Sequence, residues 1–321
     1  MYANSLDMRY DRVLVTGGAG FIGSHTVEAL LASGVKTWVL DDLSSGNLRN
    51  LSFCKHTRQL RFTRGSITNF KTVRTVARKV DAIIHLAAQI SPFVSMKYPE
   101  TTNTVNVDGT LNILRAAVRE KTQKVVFASS SSVYGEVVSR RVNEKLPTNP
   151  ITPYGVSKLA AEKYCGAFFR GYGLSTISLR YFNVYGERQS SNPYSGVIAI
   201  FARALLDRRR PIIFGDGYQT RDFVHVSDVA RANVRALQSS VGKGQALNIG
   251  TGKPTTIVHL FDVLRNITQR KEITPIFRKK RAGDIRDSCA NMSLTNSFLR
   301  FHSYVDLRNG LGRLIQSMTP R

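Results

Sequence analysis

The sequence has few cysteines, few acidic residues and no long apolar stretch. Its 321 residues include only 3 cysteines, Cys54, Cys165 and Cys289, which are too few and too scattered for a disulfide framework or a zinc site. No apolar run approaches the ~18–20 residues of a membrane-spanning helix. The first residues contain no apolar core typical of a signal peptide. We therefore expect a cytoplasmic protein without a membrane span and without a bound metal.

Acidic residues are outnumbered by basic ones, 22 against 46, so that the net charge is +24. Basic runs at 208–210 and 278–281 would attract a polyanion. A basic, solvated surface without a dedicated partner has the same composition. The charge is accompanied by no recognised nucleic-acid motif and no aromatic stacking platform. Nucleic acid is therefore not an expected partner.

Short apolar runs alternate with segments of helical periodicity in the first half of the chain. The pattern predicts helices at 21–33, 107–119 and 154–172, and strands at 12–16, 36–41, 61–63, 82–86, 124–128 and 175–179. Such alternation is typical of an α/β protein with a doubly wound parallel sheet, the Rossmann fold. Beyond residue 180 we predict a helix at 197–207, a strand at 245–249, and irregular structure at 274–277 and from 284 onward.

A glycine motif follows the first predicted strand. Gly17, Gly20 and Gly23 are spaced G-x-x-G-x-x-G and lead into the first helix. Glycine permits a tight turn and a close approach to a phosphate, and the helix N-terminus offers free N–H groups. Asp41 ends the second strand, where a carboxylate can bind the adenine ribose and repel a 2′-phosphate. These features predict a dinucleotide site that favours NAD over NADP.

Tyr154 and Lys158 form a second motif on the long predicted helix. Side chains four residues apart share one helical face. Lys158 can then lower the pKa of the Tyr154 phenol toward working pH, helped by an oxidised nicotinamide ring. An exposed tyrosine and lysine on a surface helix would give the same pattern. Together with the glycine motif, the pair predicts redox chemistry on an alcohol or ketone.

Several longer motifs resemble the extended short-chain dehydrogenase/reductase family over almost the whole chain. They are the glycine motif, the Tyr154–Lys158 pair, and the segments 85–88, 106–110, 129–135 and 152–154. Three further segments, 180–186, 221–226 and 281–284, resemble the nucleotide-sugar epimerase/dehydratase branch, and most of all the UDP-glucose (UDP-galactose) 4-epimerases. The resemblance implies an NAD-binding Rossmann domain at 1–180, rejoined by about 223–250, and a smaller, interleaved α/β substrate domain at 181–321.

The resemblance also implies a role for each matching residue. Tyr154 would be the base, Lys158 its partner, and Ser130 a catalytic hydrogen-bonding group at the sugar 4-oxygen. NAD would contact Gly17, Gly20, Phe21, Ile22, Gly23, Asp41, Ser66, Ile67, Leu86, Ala87, Ala88, Asn106, Tyr154, Lys158 and Tyr181. A UDP-sugar substrate would contact Ser130, Tyr154, Asn183, Arg221, Arg281, Asp284 and Ser288.

The serine run distinguishes between activities of the family. The 4,6-dehydratases carry Thr-Asp-Glu where this chain has Ser130, Ser131 and Ser132, and the UDP-glucuronate decarboxylases carry glutamate at the position of Ser132. Without those carboxylates, elimination lacks its proton shuttles. We therefore expect a nucleotide-sugar 4-epimerase. The alternatives are a UDP-uronate 4-epimerase, a dehydratase or a 4-keto reductase and, from another class, a non-catalytic NAD sensor or a polyanion-binding protein.

Two positions depart from the family pattern, and both bear on ligands. Ser66 stands where the family usually has an aspartate that contacts adenine, so that this contact is lost or replaced by a hydroxyl. Ser288 stands where epimerases restricted to non-acetylated sugars have tyrosine, which predicts that N-acetylhexosamine nucleotides are accepted. Family members commonly dimerise through the helices at 107–119 and 154–172, so we expect a homodimer.

Overall fold

The computed structural model describes residues 9–54, 57–137, 139, 141–190, 196–280 and 285–319. Strands and helices alternate in its first half as the sequence predicts. The strands are β1 (Arg12–Thr16), β2 (Lys36–Asp41), β3 (Leu60–Arg64), β4 (Ala82–His85), β5 (Lys124–Ser130) and β6 (Ser175–Tyr181). The helices are α1 (Phe21–Ala32), α2 (Phe70–Ala77), α3 (Pro92–Lys97), α4 (Pro99–Asn103), α5 (Gly109–Arg119) and α6 (Pro153–Tyr172), and a π-helical turn, Thr104–Asp108, precedes α5.

The second half is built of shorter elements. Its strands are β7 (Asn183–Tyr185), β8 (Ile212–Phe214), β9 (Thr220–His225), β10 (Lys243–Ile249), β11 (Pro254–Thr256) and β12 (Ile276–Arg278). Its helices are α7 (Val197–Leu206), α8 (Val226–Gln238), α9 (Ile257–Ile267), α10 (Ser293–Leu299) and α11 (Leu307–Met318). The prediction of irregular structure at 274–277 and after 284 was wrong in part. β12 pairs with β8, and the apolar face of α11 packs into a separate apolar core.

One parallel sheet organises the molecule. Its strand order is β10-β6-β5-β4-β1-β2-β3, and every pairing in it is parallel. The chain therefore reverses direction of winding between β1 and β4, at the carboxyl edge where ligands bind in this architecture. The predicted doubly wound α/β fold is confirmed. Two smaller sheets, β11-β9-β7 and β12-β8, lie in the second half of the chain.

Apolar cores lie on both faces of the large sheet. The central strands β4 and β5 are buried along their whole length, as expected for a parallel sheet covered by helices on both sides. The segment from α8 to β10 returns to this sheet: β10 pairs with β6, and α8 packs against α1. A third core surrounds α7, α9 and α11 beside the small sheets. The division into two domains stays a prediction.

The start and end of α6 are set by local sequence. The hydroxyl of Thr152 accepts a hydrogen bond from the Gly155 N–H at 3.1 Å, and Pro153 occupies the first turn. Gly173 ends the helix in a left-handed conformation with φ +69°. The cap places Tyr154 in the first helical turn, next to the end of β5. Among the described residues, no helix is long and apolar enough to cross a membrane.

Candidate active site

The loop between β1 and α1 forms a tight backbone turn that has no room for a side chain at Gly17. Gly17 has φ +68°, and a β-carbon there would lie 2.8 Å from the Ala87 backbone nitrogen. A β-carbon at Gly23 would overlap the Gly17 carbonyl oxygen. Helix α1 has no side-chain cap at Gly20 and no acidic residue in its first turn, so its N–H groups face the loop uncompensated. A dinucleotide pyrophosphate fits this arrangement.

Asp41 lies beside the glycine loop at the end of β2. Its side chain is buried, with 7% exposure, and it accepts hydrogen bonds from the Ala19 N–H at 2.9 Å and the Leu43 N–H at 2.8 Å. Burial raises the pKa of this carboxyl, while the two N–H groups act in the opposite direction. The carboxylate is thus held in place by backbone and keeps further lone pairs for a ligand hydroxyl.

The loops after β3 and β4 border the same edge of the sheet as the glycine loop after β1. The N–H groups of Leu86 and Ala87 both donate to the Thr16 hydroxyl at 3.2 Å, and Ala88 follows them. Thr16 also contacts His85 Nδ1 at 2.6 Å, and burial lowers the pKa of His85 to about 3, so its ring is neutral.

Ser66 and Ile67 follow β3. The Ser66 hydroxyl lies 2.9 Å from that of Thr68, and the side chain of Ile67 packs against the place where a β-carbon of Gly109 would stand. The predicted contacts of Ser66 and Ile67 with adenine stay predictions.

Asn106 and Tyr181 are both buried with their polar groups engaged by protein. The Asn106 amide accepts from the Gln89 N–H at 2.8 Å and donates to the Ser157 hydroxyl at 2.9 Å. The Tyr181 hydroxyl donates to Asn233 Oδ1 at 2.5 Å. Direct contacts of these two side chains with NAD therefore stay predictions. What the structure adds for Asn106 is a link between the loop after β4 and α6.

Ser130 and Tyr154 meet at the carboxyl end of β5. The Ser130 hydroxyl accepts a hydrogen bond from the Ser132 N–H at 3.1 Å and thereby begins a short 3-10 turn, Ser131–Val133. Tyr154 is half-buried, and the Ser130 hydroxyl is a polar side-chain neighbour that acts on the pKa of its phenol. Burial raises the pKa of the Tyr154 phenol, and the neighbouring Ser130 hydroxyl acts in the opposite direction by a smaller amount.

Lys158 lies one helical turn after Tyr154 and is 3% exposed. Its ammonium donates to the Ala128 carbonyl at 2.9 Å and lies 5.0 Å from the centre of the Phe127 ring. Burial lowers the pKa of Lys158 to about 7. The sequence predicted that Lys158 lowers the pKa of Tyr154, whereas the net shift in this structure is upward. The reason is that burial dominates and the ammonium is directed at β5.

Two cavities adjoin this site. The smaller, of about 180 Å³, borders the serine turn and is lined by Ser131, Ser132, Tyr134, Gly135, Val137, Val142, Phe182, Asn183, Arg221, Ile285, Asp287 and Ser288. The larger, of about 530 Å³, has a mostly apolar lining: Pro92, Phe93, Met96, Thr152, Asn183, Val197, Phe201, Ile212, Ile213, Phe214, Gln219, Arg221 and Ile257. Asn183 and Arg221 line both and so lie where the two cavities meet. Arg281 and Asp284 fall outside the described residues.

Sequence reasoning missed a buried group behind the serine turn. Glu162 forms an ion pair with Arg180 at 2.5 Å and accepts a hydrogen bond from the Ser129 hydroxyl at 2.8 Å. The signal available in the sequence was spacing: Glu162 follows Lys158 by one further helical turn. Within the described part of the chain, no three metal-ligating side chains converge.

Comparisons with known proteins agree with this geometry. Residues 13–250 match the model of the NAD dependent epimerase/dehydratase family. A putative UDP-glucose 4-epimerase from Methanocaldococcus jannaschii is 41% identical over 309 residues, covering 95% of this chain and 98% of the relative.

Solved structures of relatives superpose closely. A UDP-glucose 4-epimerase from Thermotoga maritima with UDP-glucose has a TM-score of 0.90 at 37% identity, covering 95% of this chain and 98% of that one. A UDP-N-acetylglucosamine 4-epimerase from Methanobrevibacter ruminantium in complex with UDP-N-acetylmuramic acid has a TM-score of 0.92 at 35% identity, covering 97% and 98%. More distant relatives, at 31–32% identity, include a decarboxylase and a dehydratase of nucleotide sugars.

Proposed function

Because the chain belongs to the NAD-dependent epimerase/dehydratase family, we propose that it is a nucleotide-sugar 4-epimerase. It interconverts UDP-glucose and UDP-galactose, and also UDP-GlcNAc and UDP-GalNAc, through a 4-keto intermediate. The observation that carries the proposal is the placement of Tyr154, with Lys158 one helical turn further on, next to Ser130 at the end of β5 and beside a small cavity whose serine turn presents hydroxyls and no carboxylates.

Tyr154 removes the proton of the sugar 4-hydroxyl and later returns it. Ser130 hydrogen-bonds the same sugar oxygen, and its hydroxyl beside Tyr154 acts to lower the pKa of the phenol. Lys158, fixed by the Ala128 carbonyl, supplies positive charge next to the base when it is protonated. The glycine loop and Asp41 would hold NAD, which when bound would supply a reversible hydride acceptor for C4, so that the cycle would need no net oxidant.

Each of the two cavities suits a different part of the substrate. The larger apolar cavity suits the nucleoside, with Gln219 as a polar group for the base. Asn183 and Arg221, where the cavities meet, suit the diphosphate, for which a planar guanidinium is a good partner. The hexose then lies in the smaller cavity. Binding energy located in the nucleotide leaves the 4-keto sugar free to turn over.

The serine turn argues against dehydration and decarboxylation. Ser131 and Ser132 line the smaller cavity with hydroxyl groups. By the family resemblance, dehydratases carry acids at both positions and decarboxylases carry glutamate at that of Ser132. The carboxylate of Asp287 also borders this cavity and is hydrogen-bonded by the Thr220 hydroxyl at 2.7 Å. A 4-keto reductase would draw on NADPH, which the Asp41 carboxylate disfavours by repelling its 2′-phosphate.

Ser288 supports acceptance of N-acetylated sugars. It is half-buried and lines the smaller cavity together with Asn183 and Arg221. Tyrosine at this position would occupy space that a 2-acetamido group needs. In a Ser288→Tyr variant, turnover of UDP-GlcNAc should fall by at least about tenfold, and turnover of UDP-glucose should change little.

We also propose a cytoplasmic homodimer that pairs through α5 and α6. Three apolar side chains of α6 are more than a third exposed: Val156 at 52%, Tyr164 at 39% and Tyr172 at 66%. A partner helix would bury them. All 3 cysteines are free and buried, which suits a reducing compartment. Light scattering of the wild type and of a Val156→Glu variant measures the oligomeric state.

The proposed reaction is tested with purified protein and four substrates, UDP-glucose, UDP-galactose, UDP-GlcNAc and UDP-GalNAc, with products resolved by proton NMR. Interconversion of a C4 pair without net NADH is the expected result. Tyr154→Phe should abolish turnover and keep NAD bound, because it removes only the phenolic oxygen. Near-normal turnover of that variant would refute the mechanism. Elimination or decarboxylation products would favour the other activities of the family.

A further inference from the structure

One face of α6 contacts the last three residues of β5. Tyr154, Lys158 and Glu162 are four residues apart, and such side chains lie above one another on a helix. The first two have the catalytic roles proposed above. The third is 5% exposed at its side chain and reaches the hydroxyl of Ser129, the residue before the catalytic Ser130.

Glu162 receives three hydrogen bonds from two neighbouring strands. The Ser129 hydroxyl and the Arg180 Nε donate to Oε2 at 2.8 and 3.0 Å, and Arg180 Nη2 donates to Oε1 at 2.5 Å. Ser129 and Arg180 are register partners in β5 and β6, so their side chains leave the sheet side by side toward α6. The carboxylate therefore joins the helix that carries Tyr154 to the strand that carries Ser130.

Arg180 is itself held on its other sides. Its guanidinium lies 4.7 Å from the centre of the Tyr134 ring, and its Nη1 contacts the Glu144 carbonyl at 3.4 Å. The Tyr134 hydroxyl donates to Asn248 at 2.7 Å. Burial acts to lower the pKa of Arg180, but the hydrogen bond and charge of Glu162 outweigh it, so the guanidinium stays charged. These contacts hold Arg180, and with it the ion pair to Glu162, in one position.

A buried ion pair is a poor source of net stability, because removing both charges from water costs about as much as their attraction returns. Its geometry is specific, however, since a planar guanidinium binds a carboxylate through two parallel hydrogen bonds. The position of this pair, immediately behind Ser130 and one helical turn beyond Lys158, points to a role in geometry.

We propose that Glu162 is a positioning residue of the active site: through Ser129 and Arg180 it fixes α6 against the end of β5 and so keeps Ser130 beside Tyr154. The inference rests on the proposed function, because it assigns Ser130 and Tyr154 to the sugar 4-oxygen. Glu162 touches neither substrate nor cofactor in this scheme and acts only through the two strand residues.

Two substitutions test the role at different strengths. Glu162→Gln keeps the shape of the side chain but replaces an acceptor by an N–H₂ group that opposes its donors. We expect kcat to fall by about 10- to 100-fold, as for a small misplacement of reacting groups, and KM for the UDP-sugar to stay within a factor of about three because the nucleotide binds elsewhere. Ser129→Ala keeps the ion pair and removes only the link to β5, so its loss of kcat should be smaller. Ser129→Thr retains the hydroxyl and should restore kcat.

Asp228→Asn is the matched control for loss of a buried carboxylate charge. Asp228 is 0% exposed, pairs with Arg231 at 2.6 Å, and accepts from the N–H groups of Tyr304 and Val305 at 3.1 Å. These partners lie in α8 and in the segment before α11. The control should lose stability to urea as Glu162→Gln does, while its kcat stays at the wild-type value.

A measurement without substrate separates this inference from the proposed function. Protein labelled at the tyrosine ¹³Cζ carbons gives a Tyr154 resonance that is identified by its absence from Tyr154→Phe. We expect Glu162→Gln and Ser129→Ala to move this resonance, because Ser130 shifts relative to the phenol, and Asp228→Asn to leave it in place. If the wild type converts none of the four sugars, the proposed function fails and the resonance alone decides the positioning role. An unmoved resonance in Glu162→Gln overturns the inference, and so does a kcat that falls no further than in Asp228→Asn.

Discussion

The glycine loop allows a prediction in which backbone strain and steric clash can be separated. Gly17 and Gly173 have nearly the same left-handed backbone, with φ +68° and +69°. At Gly17 an added β-carbon would lie 2.8 Å from the Ala87 nitrogen and 2.9 Å from its Cα, whereas at Gly173 nothing lies within 4 Å. Gly17→Ala and Gly173→Ala therefore share the strain and differ in the clash.

The expected magnitudes follow from these contacts. A left-handed alanine costs about 1–2 kcal/mol at either position. At Gly17 the neighbouring backbone must also move away. The added β-carbon would lie 2.8 Å from the Ala87 nitrogen, whereas ordinary van der Waals contact begins at 3.4 Å. Overpacking against a fixed neighbour costs a further 1–3 kcal/mol or so. We thus expect Gly17→Ala to lose about 2–5 kcal/mol of unfolding free energy and Gly173→Ala about 1–2 kcal/mol.

The two variants should differ more in cofactor content than in stability. A retreat of the Gly17 or Ala87 backbone disturbs the loop that faces the N-terminus of α1, and the hydrogen bonds from Gly17 N to the Leu40 carbonyl and from Gly20 N to the Gly17 carbonyl depend on the same backbone. Urea unfolding followed by circular dichroism gives the stability, and NAD released on denaturation gives the content. Equal stability losses in the two variants, with full NAD in Gly17→Ala, would refute the steric reasoning.

The direction of the effect can be predicted for three further substitutions. Asp41→Ser should shift the ratio of NAD to NADP affinity toward NADP by about tenfold or more, measured by titration calorimetry, because it removes a charge that repels the 2′-phosphate. The pKa of Lys158 is about 7 in the folded protein and about 10.5 in the unfolded chain. Between pH 7 and pH 10.5, Lys158 is therefore protonated mainly in the unfolded chain. The stability of wild type relative to Lys158→Met should therefore rise with pH there, by up to about 1.4 kcal/mol per unit, and a flat difference in urea midpoints across pH 7–10 would contradict this. Lys124→Met should lose about 2 kcal/mol of stability and no activity, because the buried ammonium donates to the Ser239 and Val241 carbonyls, both at 2.6 Å; an unchanged urea midpoint would show that the two carbonyls find other donors.

The parts of the fold that the sequence predicted are those with strong local signals. β4 and β5 are continuous apolar runs, and α6 begins with a capping threonine and a proline and ends with a glycine. β12 was missed because its signal is not local: it is three residues long, and its pairing partner is β8, far back in the chain. Helices α10 and α11 were missed because their apolar faces are short and can be recognised only together with the cores against which they pack.

The same limit applies to the candidate site. The spacing of Tyr154 and Lys158 shows that they share a helical face, but the direction of the ammonium is decided by the Ala128 carbonyl, on a strand that the spacing does not describe. Likewise, the amide of Asn106 is engaged by Gln89 and Ser157, which only the packing of α6 against the loop after β4 brings together. Residue type and spacing identify candidates, whereas hydrogen-bond partners depend on sheet register.

This dependence has a consequence for the catalytic base. Burial raises the pKa of Tyr154, and the contribution from this chain that opposes it comes from the neighbouring Ser130 hydroxyl. Ser130 is the last residue of β5, where the ladder of backbone hydrogen bonds to β6 ends. A phenol that must release and accept a proton at neutral pH is therefore sensitive to small movements of this strand end. The link from Ser129 to Glu162 restrains such movements, which is why kcat, and not nucleotide binding, is where its loss should be measured.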